Sequence, residues 1–126
     1  MELALDKSYF FYKLQEMTPA MRPPRVFEGA VLLAVSRLGD LAYGISIRRE
    51  LEERLRRPVS LGAVYTTLER LHDKRLLAAR HGEPTPERGG RAKKLFRLTA
   101  RGVEALEVSR SAARVMWSLS PMRAPR

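Results

Sequence analysis

Apolar residues recur at helical spacing through the first half of the chain and predict two consecutive core helices. Residues 26–38, VFEGAVLLAVSRL, are apolar on nearly all sides, which is typical of the most buried helix of a compact core. A Gly-Asp pair then interrupts the pattern. In the following segment, ISIRRELEERLRR, apolar residues return every four positions among charged ones, at Ile47, Leu51 and Leu55. We expect this second helix to bury one face and expose the other.

A third helix is predicted after Ser60, whose hydroxyl can cap a helix N-terminus. Its inward stripe consists of Leu61, Val64, Leu68 and Leu71. The outward face is predicted to carry Gly62, Ala63, Thr66, Thr67 and Arg70, with Tyr65 at the boundary between the two faces. Small residues let a helix approach base edges, and threonine and arginine bind bases or phosphates. This pattern fits a helix that enters a groove of DNA, and it fits equally an amphipathic helix whose outer face meets water.

Two short strand patterns follow the third helix and enclose a basic loop. Residues 76–79 are predicted as one strand, and residues 95–98, LFRL, alternate as its antiparallel partner. The loop between them is rich in glycine and proline, and it carries basic residues at Arg88, Arg91, Lys93 and Lys94. Such a loop can follow a phosphate backbone or enter a narrow minor groove. Helix, strand, basic loop and strand in this order predict a winged helix-turn-helix, and the loop favours the DNA-binding interpretation of the third helix.

The first residues of the chain form a separate amphipathic pattern. Leu5, Tyr9 and Phe10 lie at helical spacing among charged residues, which predicts a helical arm over residues 1–18. The segment TPAMRPPR separates this arm from the core, because its prolines deny backbone donors and disfavour helix. Periodicity alone leaves two interpretations equally open: the arm packs across a dimer, or it lies on its own domain.

A last amphipathic pattern follows the winged core, which we predict to span residues 25–99. A helix capped by Thr99 is expected over residues 100–118, and a disordered tail over residues 119–126. The residues that this helix offers for burial are Val103, Leu106, Ala113, Met116 and Trp117. Because no further domain remains for the helix to cover, the pattern favours dimerisation. Trp117 has a second interpretation as part of an effector pocket between protomers, although packing is the commoner role of a lone tryptophan.

Charge and hydropathy narrow the partners of the chain. Its 126 residues include 24 Lys and Arg against 14 Asp and Glu, a formal net charge of +10, which attracts polyanions. Nucleic acid is favoured over an acidic membrane, because the densest basic cluster lies in a loop and not on an amphipathic helix. The longest purely apolar run, residues 30–35, is far shorter than the roughly 20 residues of a membrane span. With no secretory pattern at the start, we expect a cytoplasmic protein.

Candidate groups for catalysis or metal binding lack the patterns that these functions need. Glu50, Glu52 and Glu53 each lie within helical reach of an arginine, which favours surface ion pairs over acid–base chemistry. The glycine pair of the basic loop lacks the surrounding residues of a phosphate-binding loop. His72 and His81 have no cysteine near them, because the chain contains none, and are expected at the surface and at a strand end. We therefore expect no enzymatic activity, no metal and no cofactor.

The chain resembles the PadR family of bacterial transcriptional regulators in the segments AYGISIRRELEERL, VSLGAVYTTLERLHDKRLLAAR and GGRAKKLFRLTARG. The family pattern includes a Tyr/His-Gly pair that opens the second helix, an S-x-G-x-x-Y-x-x-L-x-x-L recognition helix and a G-R-x-x-[KR]-x-[YF]-x-L-T-x-x-G wing strand. On that pattern Tyr65 corresponds to the recognition-helix tyrosine, and Gly90, Arg91 and Lys94 correspond to the wing. The chain differs from many members at Phe96, where they carry tyrosine, and in its N-terminal arm.

The resemblance implies a homodimeric repressor with a single C-terminal dimerisation helix, as in the short-tailed members of the family. Such a repressor binds a pseudo-palindromic operator in double-stranded DNA and is often released by a small hydrophobic or phenolic effector. The expected fold is mainly α with a small β-hairpin: a winged helix-turn-helix plus N- and C-terminal dimerisation helices. The alternative is a winged-helix adaptor that binds RNA or protein without sequence-specific readout of DNA, because a fold does not determine a function.

Overall fold

The computed structural model describes residues 25–83 and 93–119, except the side chains of Trp117 and Leu119. The described elements follow the order helix, helix, helix, hairpin, helix. We label them α1 (Val26–Leu38), α2 (Gly44–Leu55), α3 (Leu61–Asp73), β1 (Leu77–His81), β2 (Lys94–Leu98) and α4 (Ala100–Leu119), with a 3₁₀ turn at Gly39–Leu41 between α1 and α2. This arrangement confirms the predicted winged helix-turn-helix, with α2 and α3 as its helical pair and the β1–β2 hairpin as its wing.

Local hydrogen bonds explain where the helices begin. The Ser60 hydroxyl accepts a bond from the Ala63 backbone N–H at 3.1 Å, as predicted for a cap. The Thr99 hydroxyl likewise accepts from the Gly102 backbone N–H at 3.0 Å. At the start of α2, the Ser46 hydroxyl accepts from the Tyr43 backbone N–H at 3.0 Å. Each bond satisfies a backbone donor that the helix or its approach would otherwise leave free.

Helix α1 lies at the centre of the core and contacts α2, α3, α4 and β2. The largest fully buried side chains come from α1, α2, α3 and β1: Val31, Leu32, Val35, Ile47, Val64, Leu68, Leu71 and Leu77. The prediction that α1 is the most buried helix is confirmed by this position. The prediction that Leu55 faces inward is wrong, because it lies exposed in the last turn of α2, next to Arg56, which ends the helix in the left-handed region at φ 53°.

The wing strands pair antiparallel, with Leu77 opposite Leu98 and His81 opposite Lys94. The first strand begins one residue later than predicted, because Leu76 donates its backbone N–H to the Leu71 carbonyl at 2.9 Å and closes the end of α3. Strand β2 also pairs with the segment before α2, since the Phe96 N–H donates to the Ala42 carbonyl at 2.8 Å. We call the start of β2, with Lys93 and Lys94, the wing base. This part of the hairpin is therefore fixed to the start of α2.

The first half of α4 packs on its own domain, which corrects the expectation that no domain remains for this helix. Leu106 and Ala105 lie partly buried against the core. The reason is Gly102, which is buried so close to the residue before β1 that a Cβ there would lie 2.0 Å from the Leu76 carbonyl oxygen. The absence of a side chain at this position lets α4 fold back along α1. Val103 and Met116 remain exposed.

Candidate nucleic-acid interface

The outward face of α3 is the first part of the candidate interface. The predicted residues Gly62, Ala63, Thr66 and Arg70 are exposed, with Ser60 exposed at the cap, and the acidic Glu69 is exposed on the same helix. Tyr65 is 47% exposed and is the largest side chain on this face. The first turns of α2 and α3 contain no acidic residue, so the partial positive charge of each helix N-terminus is not neutralised by its own first turn. This surface can approach a polyanion without a charge penalty from those turns.

Thr67 does not belong to this face. It is only 5% exposed and lies on the buried side of α3. The prediction that it points outward is wrong, because position 67 follows Val64 by three residues and precedes Leu71 by four, so it shares their side of the helix. The sequence spacing of Thr67 from Val64 and Leu71 was sufficient to place its side chain on the buried side of α3. Thr67 is therefore removed from the candidate contact residues.

Tyr65 lies against the first residue of α2. A Cβ built on Gly44 would lie 2.6 Å from the Cε1, Cζ and hydroxyl oxygen atoms of the Tyr65 ring. The Tyr65 ring therefore occupies the space that any side chain at position 44 would need. This contact joins the exposed face of α3 to the N-terminus of α2.

The wing base supplies two exposed cations beside this contact. The Lys93 ammonium lies 4.2 Å from the centroid of the Tyr43 ring, and the Lys94 ammonium lies 5.7 Å from that of Phe96. Sequence reasoning missed Tyr43 as a member of the interface, although it precedes the glycine that opens α2. The remaining predicted wing residues, Arg88 and Arg91, and Gly90 with them, lie outside the described residues.

Two acidic residues of α2, Glu50 and Glu52, serve as ion-pair partners. Glu50 accepts bonds from the Arg37 and Arg54 side chains, each at 3.1 Å. Glu52 lies 3.7 Å from Arg48 and accepts the Val59 backbone N–H at 3.1 Å. These contacts confirm the predicted structural role for both carboxylates. Both histidines are exposed, as expected, with His81 at the end of β1.

Among the described residues, no group of three His, Cys, Asp or Glu side chains is arranged to hold a metal ion. Within the same residues, no helix is both long enough and apolar enough to cross a membrane.

An apolar groove runs between α1 and the second half of α4, on a different part of the surface from Tyr65 and the wing. Its volume is about 500 Å³, and its lining includes Leu33, Leu106 and Ala113. Val26 is 92% exposed and Met116 is 69% exposed at its rim. The Trp117 side chain is not described, and Leu5, Tyr9 and Phe10 lie with the whole N-terminal arm outside the described residues.

Comparisons with known proteins agree with this geometry. Residues 31–108, more than half of the chain, match the Transcriptional regulator PadR-like family. A PadR-like transcriptional regulator from Bacillus cereus strain ATCC 14579 is similar, with a TM-score of 0.59 and 25% identity, over 75% of this chain and 87% of that chain. A PadR family transcription regulator from hypervirulent Clostridium difficile R20291 has a TM-score of 0.55 and 27% identity, over 72% of this chain and 92% of that chain. A Streptococcus transcriptional regulator, at 24% identity over 74% of this chain and 86% of that chain, shares the fold with a TM-score of 0.62. No curated protein matches the sequence significantly.

The α2–α3 pair with its hairpin wing defines a winged helix-turn-helix protein. The chain belongs to the PadR-like family of transcriptional regulators. The family match covers α1 from residue 31 onward, all of α2, α3 and the wing strands, and the first turns of α4. It confirms the resemblance that the sequence motifs indicated.

Proposed function

We propose that the protein is a homodimeric transcriptional repressor that binds a pseudo-palindromic operator in double-stranded DNA. Helix α3 enters the major groove, and the wing contacts the flanking phosphate backbone. The observation that carries this proposal is the outward face of α3, where small and polar residues and Tyr65 lie exposed and Lys93 and Lys94 follow at the wing base. The net charge of +10 supports a polyanionic partner.

The proposed division of the chain follows from these surfaces. Residues 25–99 form the DNA-binding domain, and residues 100–118 form the dimerisation helix. The groove between α1 and α4 supports the dimer, because Val26, Leu33 and Met116 expose apolar surface there that a second copy would cover. Ala113 and Leu106 lie in the same groove. A small hydrophobic or phenolic effector would bind between the protomers at this groove, and Trp117 is the proposed aromatic contact.

This function places the protein in the cytoplasm, with DNA, and requires neither a cofactor nor catalysis. Selection of bound duplexes from a random pool tests it directly. We expect one palindromic sequence to be recovered and to bind roughly 10³-fold or more tightly than a scrambled duplex at physiological salt. Weak binding that is equal on both duplexes and strongly salt-sensitive would instead support a winged-helix adaptor for RNA or protein.

A further inference from the structure

Position 44 is occupied by glycine although the backbone there does not need it. Gly44 is the first residue of α2, and its φ lies outside the left-handed region, in contrast to that of Gly39 at 57°. Alanine is the more favourable residue at a helical position of this kind. The reason for glycine is therefore the space around it, and that space is filled by Tyr65.

The Tyr65 ring is held in place from the α2 side. Three atoms at its far end, including the hydroxyl oxygen, lie 2.6 Å from the point that a Cβ on Gly44 would occupy. Contacts this short do not occur between real atoms, so any side chain at position 44 would push the end of the ring away. The Tyr65 backbone, by contrast, is fixed by α3, whose neighbouring Val64 and Leu68 are fully buried.

The position of the ring matters because Tyr65 lies between the other parts of the interface. Its hydroxyl lies beside the first turn of α2, whose preceding residue, Tyr43, contacts the Lys93 ammonium of the wing. The exposed face of α3 continues from Tyr65 to Thr66 and Arg70. A DNA backbone that passes over both α3 and the wing base would lie next to this hydroxyl. The hydroxyl can then donate to one of its phosphate oxygens.

We propose that Gly44 is a positioning residue of the DNA interface: it leaves the space in which the Tyr65 ring rests, so that the Tyr65 hydroxyl meets the DNA backbone. This inference rests on the proposed function, since it requires that the interface binds DNA. It assigns to Gly44 a role in DNA affinity that is separate from the stability of α2.

A double-mutant cycle tests the inference. The probe is the tightest duplex recovered from the random pool, and the proteins are wild type, Gly44→Ala, Tyr65→Ala and the double variant. In the wild-type background, we expect Gly44→Ala to weaken binding about fivefold or more, because one hydrogen bond to a charged group is lost. In the Tyr65→Ala background, we expect Gly44→Ala to weaken binding less than about twofold, because no ring remains to displace. Tyr65→Phe, which keeps the ring, is expected to weaken binding about as much as Gly44→Ala.

Unfolding of the free proteins separates positioning from stability. Gly44→Ala is expected to melt at or above the wild-type temperature, since alanine favours the helix and only the end of a side chain must move. The double variant has no steric overlap at position 44, so it provides a folded comparison if the single variant is unstable. An equal loss of affinity from Gly44→Ala in both backgrounds would overturn the inference.

A failure of the positioning role and a failure of the proposed function give different binding results. If Tyr65→Ala weakens binding while Gly44→Ala binds the duplex as tightly as wild type, the positioning role is wrong and the proposed function stands. If the wild-type chain recovers no preferred duplex, the proposed function is wrong and the positioning role falls with it.

Discussion

Glu28 is a buried carboxylate that connects the start of α1 to the end of α3. It is only 2% exposed, and it accepts the Arg25 backbone N–H at 3.0 Å at the start of α1. The Lys74 ammonium, at the end of α3, lies 3.0 Å from its other oxygen. Burial raises the pKa of Glu28, but the Arg25 N–H, the Lys74 ammonium and the Arg25 charge together lower it, so that the pKa lies below the ordinary value.

This lowered pKa predicts a loss of stability in acid. The contribution of ionised Glu28 is fully present above the pKa of the unfolded chain, about 4.3, and is lost as the pH falls through the lower pKa of the folded chain. Glu28→Gln is therefore expected to be less stable than wild type at pH 7, and the difference should shrink below about pH 4. Urea unfolding between pH 3 and pH 7 measures it, with Glu53→Gln, an exposed position on α2, as the control. A difference that stays constant with pH would contradict the ion-pair explanation.

Gly102 offers a second test at single-residue scale. A Cβ there would lie 2.0 Å from the Leu76 carbonyl oxygen and 3.1 Å from its carbonyl carbon, and a backbone cannot move aside as a side-chain end can. We expect Gly102→Ala to destabilise the fold by about 1–3 kcal/mol or more. Gly44→Ala is the matched control, because it overlaps only the end of the Tyr65 ring. The explanation fails if both variants have the same free energy of unfolding.

At the scale of elements, α3 and the wing are expected to make different kinds of contact. Thr66 and Arg70 on α3 are proposed to face the major groove of DNA, so alanine at either position should relax base preference by about 1–3 kcal/mol. Lys93 and Lys94 at the wing base should contact phosphate, so alanine there should weaken all duplexes alike. Each lost phosphate contact should make the slope of log K against log salt shallower by about 0.9. Arg91 is expected to behave as the two lysines do.

The measurement is a salt series with the selected duplex and a scrambled duplex for every variant. Equal losses on both duplexes for the α3 variants would show that α3 does not read bases. An unchanged salt slope for Lys93→Ala with Lys94→Ala would remove the phosphate contacts from the wing base. Thr67→Ser, at the buried position of α3, is the control and should leave base preference unchanged.

At the scale of the whole molecule, the groove between α1 and α4 is the proposed dimer surface. Met116→Glu and Val26→Glu place charge on its exposed apolar rim, where burial against a second copy would be costly. We expect these variants to sediment as monomers at micromolar concentration. Operator affinity should fall as well, because each half-site supplies only part of the binding energy.

Leu41→Glu is the matched control for this prediction, since Leu41 is exposed in the 3₁₀ turn and does not line the groove. It should leave the sedimentation coefficient unchanged. Replacement of Leu106 is a less direct test, because this side chain also packs on its own core. A wild-type chain that sediments as a monomer and still binds its operator tightly would contradict the dimer proposal.

Local patterns in the sequence were enough to predict the elements of the described chain and their order. The predicted bounds of α1 are those observed, and the caps at Ser60 and Thr99 form as expected. The inward positions Ile47 and Leu51 of α2 are also buried. Periodicity and capping depend on residues three or four positions apart, so they are present in the local pattern before the chain folds.

Which elements meet, and what each contact requires, became visible in the folded chain and not in the local pattern. Gly44 meets Tyr65, Glu28 meets Lys74, and Gly102 meets the Leu76 carbonyl, each between residues that are far apart in the chain. The same holds for α4, whose apolar stripe predicted a dimer contact, while its first half covers α1 of its own chain. An amphipathic stripe specifies that a helix face will be buried, but not which surface will cover it. The reason is that the hydrophobic effect favours the removal of apolar surface from water and has no directional preference.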